Sequence, residues 1–233
     1  MAKHLPLSAL VILLALSIPS HVIPSVVPGT SDPWLAGMPA GSTASGTDSA
    51  PAQSPVELTG LPIALGGTLR FTATGAVSNT CCDPVGPDGA QFVPHDAGAQ
   101  NGIANVVAPL NSLVGVFLGA GQPDSSAAPP ALDFSALGTA FSSLAPGLKQ
   151  VFFIGDGLTG TGSGSPQSFT IPAGATRLFL GTMDGFEWNN NTGEFTVEAT
   201  QQAVPEPTTA LVGGAGLLLL GAVAHRRIKR ARS

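Results

Sequence analysis

The sequence predicts an all-β body, an antiparallel β-sandwich, between two apolar terminal segments. Three observations carry this. Short apolar runs alternate with polar residues at a period of two, as in strands with one buried face. The runs are bounded by turn formers, with 30 Gly and 21 Pro in 233 residues. No stretch between residues 26 and 203 is rich in the Ala, Glu, Lys and Leu that long helices favour, so helix-on-helix packing is excluded.

From the N-terminus, residues 1–25 read as an export signal with a helical core. Lys3 and His4 form a short basic start and Leu7–Ile18 an apolar run too short to span a bilayer comfortably. No Ala-x-Ala follows Ile18, and small residues at Ser20 and Ser25 place the cut between Ser20 and Pro28. Residues 26–55 are dominated by Ser, Thr, Gly, Ala and Pro, and read as a flexible leader from which Trp34 touches the domain.

The sandwich is expected over 56–200. Strands are predicted at Val56–Leu58, Leu69–Thr74, Leu113–Leu118, Gln150–Ile154, Ser168–Ile171, Thr176–Leu180 and Glu194–Ala199. Leu69, Phe71 and Ala73 alternate with Arg70 and Thr72, and Phe195 and Val197 with Glu194, Thr196 and Glu198. Leu113–Leu118 and Val151–Ile154 are almost continuously apolar, the pattern of central strands covered on both faces. Gln122–Ala131 and Gly157–Pro166 are expected loops, and the latter has no Lys or helix behind it to make a phosphate cradle. No repeat of twenty residues or more exists, which argues against a propeller or solenoid.

The richest chemistry lies in Leu178–Val197. Calcium takes six to eight oxygens from carboxylates, amides and backbone carbonyls at roughly 2.3–2.6 Å. A hairpin joining Asp184, Asn190 and Asn191, with a carbonyl from Phe186–Trp188, offers such a set. The competing reading is a plain turn, because Asn and Gly in Asn189-Asn190-Asn191-Thr192-Gly193 accept positive φ at little cost. Trp188 is a candidate sugar-stacking platform, against the favoured reading of a loop residue folded onto the sandwich.

The pattern Asp184, Asn190, Asn191, Thr192, Gly193 and Phe195 resembles the calcium-dependent galactose-binding lectins of the PA-IL type. That resemblance implies a jelly-roll-like sandwich, calcium held by Asp184, Asn190 and Asn191, and sugar hydroxyls completing the metal shell. The spacing from Asp184 to the Asn pair is one residue shorter than in those lectins, and the body contains no Tyr.

The tail, 204–233, has three parts. Pro205, Glu206 and Pro207 precede an uncharged run to Ala224 that includes Leu211, Leu217, Leu218, Leu219 and Leu220. Arg226, Arg227, Lys229, Arg230 and Arg232 follow. Seventeen uncharged residues rise about 25 Å as a helix, short of a ~30 Å hydrocarbon core but enough for a thin or transient span. The positive-inside rule keeps the basic cluster cytoplasmic and the body outside the inner membrane. This tail resembles the PEP-CTERM sorting signal of Gram-negative bacteria that make exopolysaccharide. The resemblance implies the membrane protease exosortase as a partner, recognising Pro205-Glu206-Pro207 and releasing or transferring the protein.

Without its ends the body keeps three bases, Arg70, Lys149 and Arg177, against thirteen acids between Asp32 and Glu198, a net −10. Such a surface repels phosphate backbones, so nucleic acid is excluded as a partner and a divalent cation is favoured. Adjacent Cys81 and Cys82 suit free thiols or an intermolecular bridge; one body histidine, His95, is too few for zinc with them. No Gly-x-Ser-x-Gly or His-Glu-x-x-His occurs, and an enzyme is not expected. The function expected is that of an exported cell-envelope or biofilm-matrix protein binding extracellular polysaccharide with calcium. The alternative is a structural matrix protein without a small ligand.

Overall fold

The computed structural model describes residues 22–44, 48–52, 55–79 and 84–202. In chain order the strands are β1 (Val22–Pro28), β2 (Val56–Glu57), β3 (Thr68–Ser78), β4 (Phe92–Pro94), β5 (Val106–Pro109), β6 (Leu113–Leu118) and β7 (Leu132–Asp133). They continue with β8 (Ser143–Leu144), β9 (Val151–Phe153), β10 (Leu158–Gly160), β11 (Ser163–Pro166), β12 (Ser168–Thr170), β13 (Arg177–Thr182) and β14 (Thr192–Gln202). One short helix, α1 (Phe134–Leu137), starts where the Asp133 carboxylate accepts the Ser135 and Ala136 N–H groups.

The fold is all-β and predominantly antiparallel. One sheet runs β1-β14-β3-β12-β8, a second β2-β13-β6-β9, a third β4-β5-β7, and β10 with β11 forms a separate hairpin. Only β12–β8 and β5–β7 pair in parallel. The five- and four-stranded sheets contribute to one apolar core, where the rings of Phe152 from β9 and Phe169 from β12 meet at 5.7 Å. All seven predicted strands are present, with ends shifted by a few residues. Leu69, Phe71 and Ala73 are buried while Arg70, Thr72 and Thr74 are exposed, and β14 repeats the pattern with Phe195, Val197 and Ala199 inward. Every residue of β6 and β9 is buried.

The first correction concerns the leader. Residues expected to be flexible over 26–55, and to belong to the signal before that, form β1, which pairs with β14 from Val22↔Thr200 to Pro28↔Glu194. Pro24 and Pro28 lie an even number of residues apart, so their missing N–H groups fall on the same outer side of an edge strand, where no ladder bond is lost. A 3₁₀ turn, Pro33–Leu35, then packs on β13 and β6 and covers the outer face of the four-stranded sheet. The approach needs Gly181: a Cβ there would stand 2.6 Å from the Ser31 carbonyl oxygen. Trp34 does more than touch the domain. It is fully buried, and its indole N–H donates to the Ala104 carbonyl at 3.0 Å.

The second correction is the stretch Gly157–Pro166, which is the β10–β11 hairpin and not an irregular loop. All of β11 is exposed, so no hydrophobic period marks it. Among the described residues no helix is long and apolar enough to cross a membrane. The signal core, Cys81 and Cys82, the Pro205-Glu206-Pro207 motif, the apolar run with Leu211 and Leu217–Leu220, and the basic cluster Arg226–Arg232 lie outside the described residues.

Candidate functional site

Asp184 stands at the end of β13, where the strand leaves the sheet. The exit is held by backbone pairing: the Met183 N–H donates to the Ser112 carbonyl at 2.9 Å, and the Asn111 N–H to the Met183 carbonyl at 2.7 Å. The carboxyl is nearly buried, at 5 % exposure. Oδ1 accepts the Gly185 N–H at 2.6 Å, and Oδ2 makes no hydrogen bond. Burial raises the Asp184 pKa; the Asn191 amide and the Gly185 and Phe186 N–H groups pull it down, and the charge of Glu187 pushes it up again.

The loop then turns through the 3₁₀ segment Trp188–Asn190 into β14. The three consecutive asparagines take different directions. Asn191 is 6 % exposed, donates Nδ2 to the Gly29 carbonyl at 3.0 Å, and leaves Oδ1 buried without a hydrogen bond. Asn190 is exposed and donates to Glu187 Oε2 at 2.9 Å. Asn189 donates to the Ser49 hydroxyl. The fold thus brings Asp184 and Asn191 together and turns Asn190 toward Glu187.

Trp188 is fully buried, donates its indole N–H to the Thr182 carbonyl at 3.0 Å, and meets Trp34 edge-on at 5.7 Å. It presents no face to solvent, so the sugar-stacking role drawn from sequence does not suit it. Burial satisfies both ends of the ring, apolar body and polar N–H together. The exposed aromatic of this loop is Phe186, at 41 %, beside exposed Glu187, Asn189 and Asn190.

The chain around Asp32 and Asp48 completes the site. Gly29 accepts through its carbonyl from both Thr182 Oγ1, at 2.7 Å, and Asn191. Asp32 is buried and accepts the Trp34 N–H at 2.8 Å. Its pKa is raised to about 7, mainly by desolvation, with the Trp34 bond lowering it and the charges of Asp48 and Asp184 adding to the rise. Asp48 reaches His95 Nε2 through Oδ2 at 2.8 Å, with both side chains buried. The other ring nitrogen, Nδ1, donates to the Gly98 carbonyl at 2.6 Å. The His95 ring stacks on Trp34 at 3.6 Å. Ser49 fastens this segment to the loop, donating its N–H to the Phe186 carbonyl and accepting the Asn189 N–H, both at 2.9 Å.

Three carboxyl groups, Asp32, Asp48 and Asp184, therefore sit in one poorly solvated region with a single histidine. Among the described residues no group of three or more His, Cys, Asp or Glu side chains is placed to hold a metal ion by itself. The donors that fit a hard cation are mixed: the free Asp184 Oδ2 and the free Asn191 Oδ1, both oxygen and both buried. A separate groove of about 300 Å³, lined by Leu35, Met38, Glu57, Arg177 and Phe179, contains none of these residues. Sequence reasoning missed Asp32 and Asp48 because their segment has the composition of a linker; the lone body histidine was the available signal.

No protein-family model, curated protein or solved structure matches this chain.

Proposed function

We propose that this is an exported cell-envelope or biofilm-matrix protein whose jelly-roll-like body binds extracellular carbohydrate, with calcium held at Asp184 and Asn191. The observation that carries the reading is the pair of buried, unpartnered oxygens, Asp184 Oδ2 and Asn191 Oδ1, beside a second buried carboxyl, Asp32. A buried acid without a counter-charge is costly, and a cation offsets that cost for several acids at once. Calcium, when bound, would supply the positive charge and open coordination positions for hydroxyl oxygens. Phe186 supplies an exposed ring for an apolar sugar face, and Glu187, Asn189 and Asn190 supply donors and acceptors around it.

The tail places the protein. Pro205-Glu206-Pro207 directs exosortase, the run through Leu211 and Leu217–Leu220 holds the chain transiently in the inner membrane, and Arg226–Arg232 anchors it on the cytoplasmic side. Binding to a panel of bacterial and plant polysaccharides, in calcium and in chelator, tests the reading. Calcium-dependent capture that Phe186→Ala weakens is expected, and no capture in either condition would sink it. The burial of both tryptophans favours one alternative, a structural matrix protein without a small ligand. Capture of matrix proteins with no glycan signal would support that alternative.

A further inference from the structure

We infer that the groove between the 33–38 segment and the β2–β13 pair is a second carbohydrate site, which takes one neutral hexopyranose ring and needs no calcium. The inference rests on the carbohydrate reading and extends it to side chains that the Asp184 loop does not supply.

The strand register builds the groove. Glu57 stands opposite Phe179 across β2 and β13, and Arg177 lies two residues before Phe179, so the three side chains share the outer face of the four-stranded sheet. Diagonal neighbours of this kind are roughly 7–8 Å apart, within reach of a Glu and an Arg. Glu57 and Arg177 nevertheless make no ion pair. The guanidinium is drawn aside by loop carbonyls: Nε and Nη2 donate to Gly119 at 3.0 and 2.7 Å, and Nη2 donates to Gly121 at 2.6 Å. Its Cζ stands 5.6 Å from the Phe179 ring centroid. These bonds fix the fork, and Nη1 has no acceptor among the described residues. Gly37 lies beside Nη1 without covering it, since a Cβ there would stand 3.2 Å from that nitrogen. Leu35, Met38 and Phe179 line the space between the two charges, about 300 Å³, the small end of ligand pockets and the size for one ring.

The chemistry of this lining selects the occupant. Nη1 can only donate, and the Glu57 carboxylate can only accept. A hydroxyl does both, so one sugar ring can accept from Arg177, donate to Glu57 and lay its C–H face on Leu35, Met38 and Phe179. The two charges also cancel, within a body of net −10, so a neutral ring fits where a uronate would add an unbalanced anion.

The test is saturation-transfer NMR on the full chain in chelator, with methyl glycosides of glucose, galactose and mannose as probes and glucuronate and glycine as comparisons. Saturable transfer to at least one neutral glycoside is expected. Glu57→Ala should weaken its apparent affinity about tenfold or more, because a hydrogen bond to a charged group is lost. Glu57 is exposed, so its truncation leaves the fold in place. Met38→Trp, which fills the groove, should abolish transfer. Transfer unchanged in both variants would overturn the location, and transfer to glucuronate or glycine alone would overturn the ligand class. Transfer to no probe would overturn the site, and calcium-dependent capture of polysaccharide would then leave the Asp184 reading standing.

Discussion

Deleting everything before Val56 separates a flexible leader from a structural one. In the structure Val27, Trp34, Leu35 and Ala36 are at most 2 % exposed, and Asp48 is the partner of buried His95. Burying Val27 and Leu35 contributes roughly 1.5–3 kcal/mol each, and loss of a buried tryptophan side chain costs about 3–5 kcal/mol. Removing Asp48 leaves the buried His95 ring nitrogen without its hydrogen-bond partner, which adds about 1–3 kcal/mol. The sum, roughly 7–14 kcal/mol, is comparable to the ~5–15 kcal/mol that holds such a domain together. The fragment 56–202 is therefore expected to be unfolded, while 21–202 folds. Trp188 is the single tryptophan left in the shorter fragment, so its emission and near-ultraviolet dichroism report directly on the site. A cooperative denaturant transition in 56–202, with the midpoint of 21–202, would refute the reasoning.

Other outcomes follow from single groups. Asp32 is protonated more readily in the folded state, with its pKa raised to about 7 from 3.8. Its contribution is full below pH 3.8 and is lost as pH rises toward 7, by up to about 4 kcal/mol. Asp184 shifts in the same direction. Asp32→Asn, which keeps the oxygen that accepts from Trp34, should raise Tm at pH 7.5 and flatten the decline between about pH 4 and 7; an unchanged slope would contradict this. Gly193 has φ +80°, and a Cβ there would stand 2.2 Å from the Ala76 carbonyl oxygen. Gly193→Ala should cost roughly 2 kcal/mol or more in a urea titration, and a neutral result would mean the strand entry relaxes freely. Glu206→Ala, or removal of Arg226–Arg232, should leave the chain in the inner membrane on fractionation, and normal release of either would count against exosortase handling.

What was legible in the sequence is what has a period. The Leu69–Ala73 and Phe195–Ala199 alternations and the apolar run Leu113–Leu118 name the sheets' faces and the covered strand, and the structure has each of them. β1 was hidden by its position behind an apolar signal core and by prolines that read as linker, although their even spacing is that of an edge strand. Leu158–Gly160 and Ser163–Pro166 carry no burial contrast, so periodicity had nothing to register. In the site, Asp184 and Asn191 were legible as a strand-end carboxylate and a turn amide. The separate directions of Asn189, Asn190 and Asn191 were not, since three identical residues differ only in what the 3₁₀ turn places opposite them. The partnership of Asp48 with His95 spans 47 residues of chain and has no local signature.

The central claim is a cation at Asp184 and Asn191, and its most direct test is a calorimetric titration of residues 21–202 with calcium beside Asp184→Asn, which keeps the shape of the side chain and removes its charge. Saturable heat in the natural sequence that disappears in Asp184→Asn is predicted. Silence in both proteins, each shown to be folded, would contradict the claim and leave the Asp184–Gly193 loop as a turn.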